Sequence, residues 1–247
     1  MANTKFDFHG LGIGQLLQRH RLEVPPNQRS YAWEDRQVTE LFEDLKGAID
    51  NNDEDYFLGT IVLIQNEEGS DILRVADGQQ RLATTTILLA RMRDQLFALG
   101  RDPRAQAVDA EFLRRIDKQS EKMVPRLQLN VEDHEFYLRT ILPSPKETQV
   151  APLSNLRLSN ERLLTASKLA IEFIQAAVLA GLRPELHADR LLAWINFLEA
   201  KATVVSVTAP NDIGAFRMFE TLNDRGLKAS QADILKTTFL AVRVAVG

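Results

Sequence analysis

The chain of 247 residues contains no cysteine. That absence removes disulfides, thiolate metal sites, iron–sulfur clusters and cysteine nucleophiles together, and it is compatible with a reducing compartment. There is no excess of positive charge either: 30 Lys and Arg stand against 34 Asp and Glu, a formal net charge of -4. Nucleic-acid contact therefore has to come from a local patch or a partner rather than from a broadly basic surface. No uncharged apolar run is long enough to span a bilayer, and the opening residues Met1 to Asp7 carry no apolar segment of the secretory kind. A cytoplasmic protein without membrane contact is expected. No Gly-rich loop ends in Lys-Ser or Lys-Thr, which excludes an ordinary P-loop ATPase, and no nucleophile elbow surrounds a serine. The four histidines, His9, His20, His134 and His187, share no metal-ligand spacing.

What is present is ordinary globular composition, 45% hydrophobic and 26% charged, organised around one junction. Leu73 to Ala76 is a β-type run that stops at Asp77-Gly78, and a helical pattern starts almost at once with Gln79-Gln80-Arg81. A strand, a tight turn and a helix in that order aim the first free N–H groups of the helix outward, where the helix dipole favours an anion. Gly78 permits close approach, Gln79, Gln80 and Arg81 add donors, and Thr84 and Thr85 follow one turn on. Phosphate suits such a place. The alternative is that Asp77 caps the helix while Arg81 pairs with a carboxylate, and the residues alone leave both readings open.

Upstream, a short helix is expected over 13–17, and Leu22-Glu23-Val24 leads into Pro25-Pro26, which holds the next residues extended. The loop Asn27-Gln28-Arg29-Ser30-Tyr31-Ala32-Trp33 crowds amide, guanidinium, phenol and indole together. Gln28 and Arg29 are assigned to phosphate or sugar contacts. Tyr31 and Trp33 are candidates for the same ligand, although rings of this size more often pack against a core. An amphipathic helix over 34–49 follows, then a hairpin of strands 56–64 and 72–76 that delivers the phosphate turn, then a helix to about Leu99 closed by Gly100.

Residues 101–120 have a charged helical pattern, 125–130 are extended, 132–142 are helical, and 143–152 read as a flexible loop. Helices over 154–182 and 185–200 lead to a buried strand at 202–207. Beyond it come a helix over 212–222, a donor-rich turn Asn223-Asp224-Arg225-Gly226, and a last helix over 230–246 that Ser230 can cap and that carries Lys236. That helix ends in an apolar run whose one charge is Arg243. It is expected to dimerise or to meet a partner subunit, with packing on its own sheet as the alternative. The pattern predicts an α+β fold in three parts: a core at 1–100, a helical insertion at 101–200, and a strand with helices at 201–247 that return to the core.

Three donor-rich turns, around Arg29, Arg81 and Arg225, suit phosphoryl transfer, which needs chiefly positioning and charge neutralisation. Asp77 would then hold a Mg²⁺ or orient a water. The four stretches Val24 to Trp33, Tyr56-Phe57-Leu58-Gly59, Asp77 to Arg81 and Phe219 to Gly226 together resemble the N-terminal domain of the GmrSD family of restriction enzymes. The resemblance implies a ParB/sulfiredoxin-like mixed-sheet core with a large α-helical insertion and C-terminal helices. It also implies binding and hydrolysis of a nucleoside triphosphate, GTP or another, that regulates defence against modified phage DNA. Asp77 and Arg81 become the catalytic candidates, with Gln28, Arg29, Tyr31, Trp33, Gly78, Gln79, Gln80, Thr84, Thr85, Asn223, Arg225 and Lys236 as the nucleotide-binding set. A departure from the family is Asn27, where relatives carry an aromatic. The nuclease of that family is a C-terminal or separate partner with a His-Asn-His-type site, to which nothing in this chain is similar. The competing reading is a non-catalytic ParB-like DNA-binding or scaffold domain that uses the same pocket for a DNA phosphate. Sulfiredoxin-like chemistry is excluded by the missing thiol.

Overall fold

A computed structural model of the chain describes residues 6–66, 70–147, 155–216 and 218. The strands are β1 (Asp7–Gly12), β2 (Arg21–Glu23), β3 (Tyr56–Gln65), β4 (Ile72–Asp77), β5 (Arg114–Ile116), β6 (Met123–Pro125), β7 (Leu127–Gln128) and β8 (Ala202–Ala209). Between them lie α1 (Ile13–Arg19), α2 (Asp35–Asp50), α3 (Gln79–Ala98), α4 (Asp102–Val108), α5 (Val131–Phe136), α6 (Leu158–Phe173) and α7 (Pro184–Ala200). Widened π-type turns extend α4, α5 and α6 through Leu113, Ile141 and Val178.

A mixed sheet of six strands runs in the order β1-β8-β3-β4-β2-β7, which makes the fold α+β. β3 and β8 pair in parallel at its centre, whereas β3 and β4 form the antiparallel hairpin predicted by the two strand signals. Alternation along β3 divides its side chains between two faces. Ile61 and Leu63 join the large core under the helices, and Val62 and Ile64 join a second cluster with Val205, Val207, Ala215 and Met218. A strand buried on both faces reads as a continuous apolar run, as residues 61–64 do.

The stretch expected as an insertion, residues 101–200, is wired into this sheet. β7 adds an edge strand beside β2, with Leu22 opposite Leu127, and the large core runs without interruption from Leu16 and Leu45 through Leu88 to Phe136, Leu163 and Trp194. Arg93 fastens the two parts. It is fully buried, paired with Asp94 and Asp109, and it donates to the Leu142 and Pro143 carbonyls.

Residues 114–116, expected within a helix, are instead a strand, because β5 pairs with β6 in a separate two-stranded ribbon. The helix expected from residue 154 starts at Leu158, where Asn160 accepts from the Arg157 N–H and closes its first turn. β1 was not foreseen. Among the described residues no helix is long and apolar enough to cross a membrane. The expected turn at 223–226 and the last helix over 230–246 lie outside the described residues.

Candidate functional site

The junction between β4 and α3 forms one side of a cleft of about 750 Å³, which is lined by Asn27, Gln28, Arg29 and Trp33 on one wall and by Asp212, Ala215 and Phe216 on another. Asp77 ends the strand, and Gly78 turns the chain with φ +92 in the left-handed region. A Cβ at Gly78 would lie 2.9 Å from a side-chain carbon of Ile61, so both the dihedral and the space demand glycine. α3 then begins with no side-chain cap and no acidic residue in its first turn. Leu82 N bonds the Gly78 carbonyl, whereas the N–H groups of Gln79, Gln80 and Arg81 find no protein acceptor among the described residues. These are the unpaired donors of a helix start, at the positive end of a long helix.

Asp77 does not cap that helix. Its half-buried carboxylate lines the cleft and makes no hydrogen bond or ion pair among the described residues. Arg81 is held differently from the ion pair set beside the phosphate reading. Its guanidinium lies against the β3 backbone and donates to the Thr60 carbonyl at 3.3 Å, with no carboxylate paired to it among the described residues. Burial pushes its pKa below the ordinary arginine value, and the nearby Asp77 and the Tyr56 phenol pull it part of the way back. The group stays cationic. A largely desolvated cation with no carboxylate at ion-pair distance among the described residues is a charge that an anionic ligand would compensate further.

Space for Arg81 comes from Gly59, whose φ of +114 accompanies an irregularity in the β3–β8 register. A Cβ there would fall 3.1 to 3.2 Å from the guanidinium atoms. The Tyr-Phe-Leu-Gly motif therefore serves the same cleft as the Asp-Gly-Gln-Gln-Arg motif.

Arg29 also lines the cleft and is exposed, with its guanidinium unpaired among the described residues. Its loop is pinned to the junction. Gln28 Nε2 donates to the Ala76 carbonyl at 3.1 Å, Gln79 Nε2 to the Arg29 carbonyl at 3.0 Å, and Gln80 Nε2 to the Ser30 carbonyl at 3.2 Å. Gln80 Oε1 accepts from the Ala32 N–H at 2.7 Å. The amides of Gln79 and Gln80, 7% and 6% exposed, thus fix the loop, and what they offer a ligand is their backbone N–H groups.

Tyr31, Thr84 and Thr85 lie beneath the cleft rather than on its wall. Tyr31 is buried, and its hydroxyl meets the Thr84 hydroxyl at 2.7 Å. Burial drives the phenol pKa well up, partly opposed by that bond. Thr85 is fully buried, and its hydroxyl has no partner among the described residues. Trp33 does both jobs, packing against the core while lining the cleft. Asn223, Arg225 and Lys236 lie outside the described residues. The sequence reading overlooked Asp212, which forms a two-bonded pair with Arg74 at 2.9 and 3.1 Å and so ties the third wall to β4.

Among the described residues no cluster of His, Asp and Glu could hold a metal ion by itself. The cleft thus offers three free backbone donors, two guanidiniums and one unpartnered carboxylate, a set suited to a phosphate chain that brings its own cation. In comparison with known families, the profile described as the N-terminal domain of GmrSD restriction endonuclease matches residues 13–240. Among curated proteins none matches the chain.

Proposed function

From the premise that this chain belongs to the family of GmrSD restriction endonuclease N-terminal domains, and so to a restriction and defence system, we propose that its cleft binds and hydrolyses a nucleoside triphosphate as the regulatory half of that system. One observation carries the reading. The uncapped start of α3, Arg29, Arg81 and the unpartnered Asp77 all meet on a single cleft.

Each group has a task in this scheme. The N–H groups of Gln79, Gln80 and Arg81 donate to phosphate oxygens, and an anion at a helix N-terminus is stabilised by roughly 0.3–2 kcal/mol. Arg29 and Arg81 neutralise charge within the same cleft, and Arg81 needs little reorganisation because strand β3 already holds it. Asp77 is placed to orient the attacking water or to take one coordination position of a Mg²⁺ that arrives with the phosphates. Such an ion keeps most of its ligands from phosphate and water, so one protein carboxylate fits it. Trp33, which lines the cleft, offers its ring to the base or ribose. The nuclease is supplied by a further domain or a separate chain, to which the nucleotide state is relayed, in a cytoplasmic setting.

Titration of the protein with the four common triphosphates and Mg²⁺, followed by phosphate release, tests this directly. Arg29→Ala is the informative variant because the side chain is exposed and bonds nothing in the described protein. It should weaken binding about tenfold or more, as expected for a lost charge-assisted contact. Arg104→Ala, which loses only an exposed pair with Asp189, should bind as the wild type does. Absence of binding for all four nucleotides would sink the proposal. If duplex DNA bound instead, with affinity falling steeply as salt rises, the cleft would be a DNA-phosphate site.

A further inference from the structure

The loop that carries Arg29 is gripped from a second side, by the helical insertion. Asn130 caps α5, its Oδ1 accepting from the Asp133 N–H, and its Nδ2 donates to the Gln28 carbonyl at 3.0 Å and to the Ser30 hydroxyl at 3.2 Å. Ser30 in turn donates to Glu132 at 2.6 Å. The most deeply buried of these holds is Asp133. Its carboxylate is 1% exposed, and it accepts from the Tyr31 N–H at 2.7 Å and from Asn160 Nδ2 at 3.2 Å.

A buried carboxylate normally sits with a cation, because desolvation disfavours the charge. Asp133 has none among the described residues, and two neutral donors, the Tyr31 N–H and Asn160 Nδ2, satisfy it. One of those donors belongs to the insertion, on α6, and the shortest bond leaves the insertion for the residue two places after Arg29. With Gln79 and Gln80 holding the same loop from the core, every backbone polar group named here between Gln28 and Ala32 is bonded from one side or the other. Of the polar side chains in this loop segment, Gln28 to Ala32, that of Arg29 alone bonds nothing among the described residues.

We propose that Asp133 and Asn130 are positioning residues for Arg29, so that the seating of the insertion regulates the affinity of the cleft. The inference rests on the nucleotide reading above and adds to it the regulatory input. Coupling of this kind is reciprocal: occupancy of the cleft tightens the insertion on the core, and displacement of α5 loosens the Arg29 wall.

Asp133→Asn tests it with almost no change of shape. The new amide must turn its NH₂ toward Tyr31 N–H or Asn160 Nδ2, both donors, and Asn160 cannot reverse to accommodate it without losing its bond from the Arg157 N–H. Three results are expected. Amide exchange across residues 28–33 accelerates, Mg²⁺-triphosphate binding weakens about three- to tenfold, and in an Arg29→Ala background the same change costs nothing further. Asn130→Ser, which can still cap α5 but cannot span to Gln28, should reproduce all three and serves if Asp133→Asn does not fold. Unchanged exchange in the loop, or effects on binding that add fully to Arg29→Ala, would overturn the inference. If the wild type binds no triphosphate, the nucleotide proposal fails by itself, and the exchange measurement still decides whether the insertion holds the loop.

Discussion

A single methyl group added at Gly59 would reach the Arg81 guanidinium and disturb the cleft. Alanine there would have to adopt φ +114 and would crowd the Arg81 guanidinium at 3.1 to 3.2 Å, two costs of which the backbone strain alone is about 1–3 kcal/mol. Gly59→Ala should lower stability to denaturant by that amount and weaken triphosphate binding by more than Arg104→Ala does. Binding equal to the wild type would show that strand β3 does not place Arg81. Tyr56, at the start of the same strand, gives a pH signature. Its phenol donates to Asp44 at 2.8 Å, and burial first, with Asp44 second, raises its pKa to about 12. The folded value lies above the unfolded one near 10.0, so the stabilising contribution is complete below that unfolded value and is lost as pH climbs through the folded one. Tyr56→Phe should therefore flatten the alkaline edge of the stability profile, seen by denaturant titration on both sides of that window. An edge of the same slope in the variant would assign it to another group.

At the scale of elements, the loop over 25–33 takes most of its bonds from α3 through one side chain. Gln80 satisfies the Ser30 carbonyl and the Ala32 N–H together, and Gln80→Ala leaves both to find water, at about 1–3 kcal/mol for each that stays buried. Trypsin cleavage after Arg29 should accelerate in that variant while the sheet stays protected, as limited proteolysis would show; an unchanged rate would mean that Asn130 and Asp133 suffice to hold the loop. The junction Asp77 to Arg81 was legible in the sequence because turn, glycine and helix start are adjacent residues. The grip on the Arg29 loop was not, since its partners lie 50 residues away on α3 and 102 away on the insertion. For the same reason Tyr31, Thr84 and Thr85 read as ligand contacts: a buried hydroxyl pair looks like a polar motif until its packing is known. Strand β1, Asp-Phe-His-Gly-Leu-Gly, has no β-branched residue, and it becomes a strand by pairing along β8. The Arg-Arg-Ile of β5 had helical surroundings in sequence and strand pairing in space. Hairpin and helix signals are local, whereas edge pairing is a tertiary property.

Across the whole molecule, continuity of packing sets how the chain should melt. The large core runs from α1 and α2 through α3 into the insertion, β7 closes the sheet beside β2, and buried Arg93 bonds both parts. Opening the insertion alone would therefore expose one side of that core and strip Arg93 of carbonyl partners, so the two parts should unfold as one cooperative unit. A ligand on the cleft touches the core junction and the loop that the insertion holds, and by linkage it adds roughly 2.7 kcal/mol at a hundredfold excess over its dissociation constant. For a chain of this length that corresponds to a rise in Tm of about 5–10 °C. Scanning calorimetry should show one transition that moves as a whole when Mg²⁺-triphosphate is added, and in Asp133→Asn the same excess concentration should move it less. Two transitions, of which only one responds to nucleotide, would mean that the insertion folds independently of the site and that its bonds to the Arg29 loop carry no coupling.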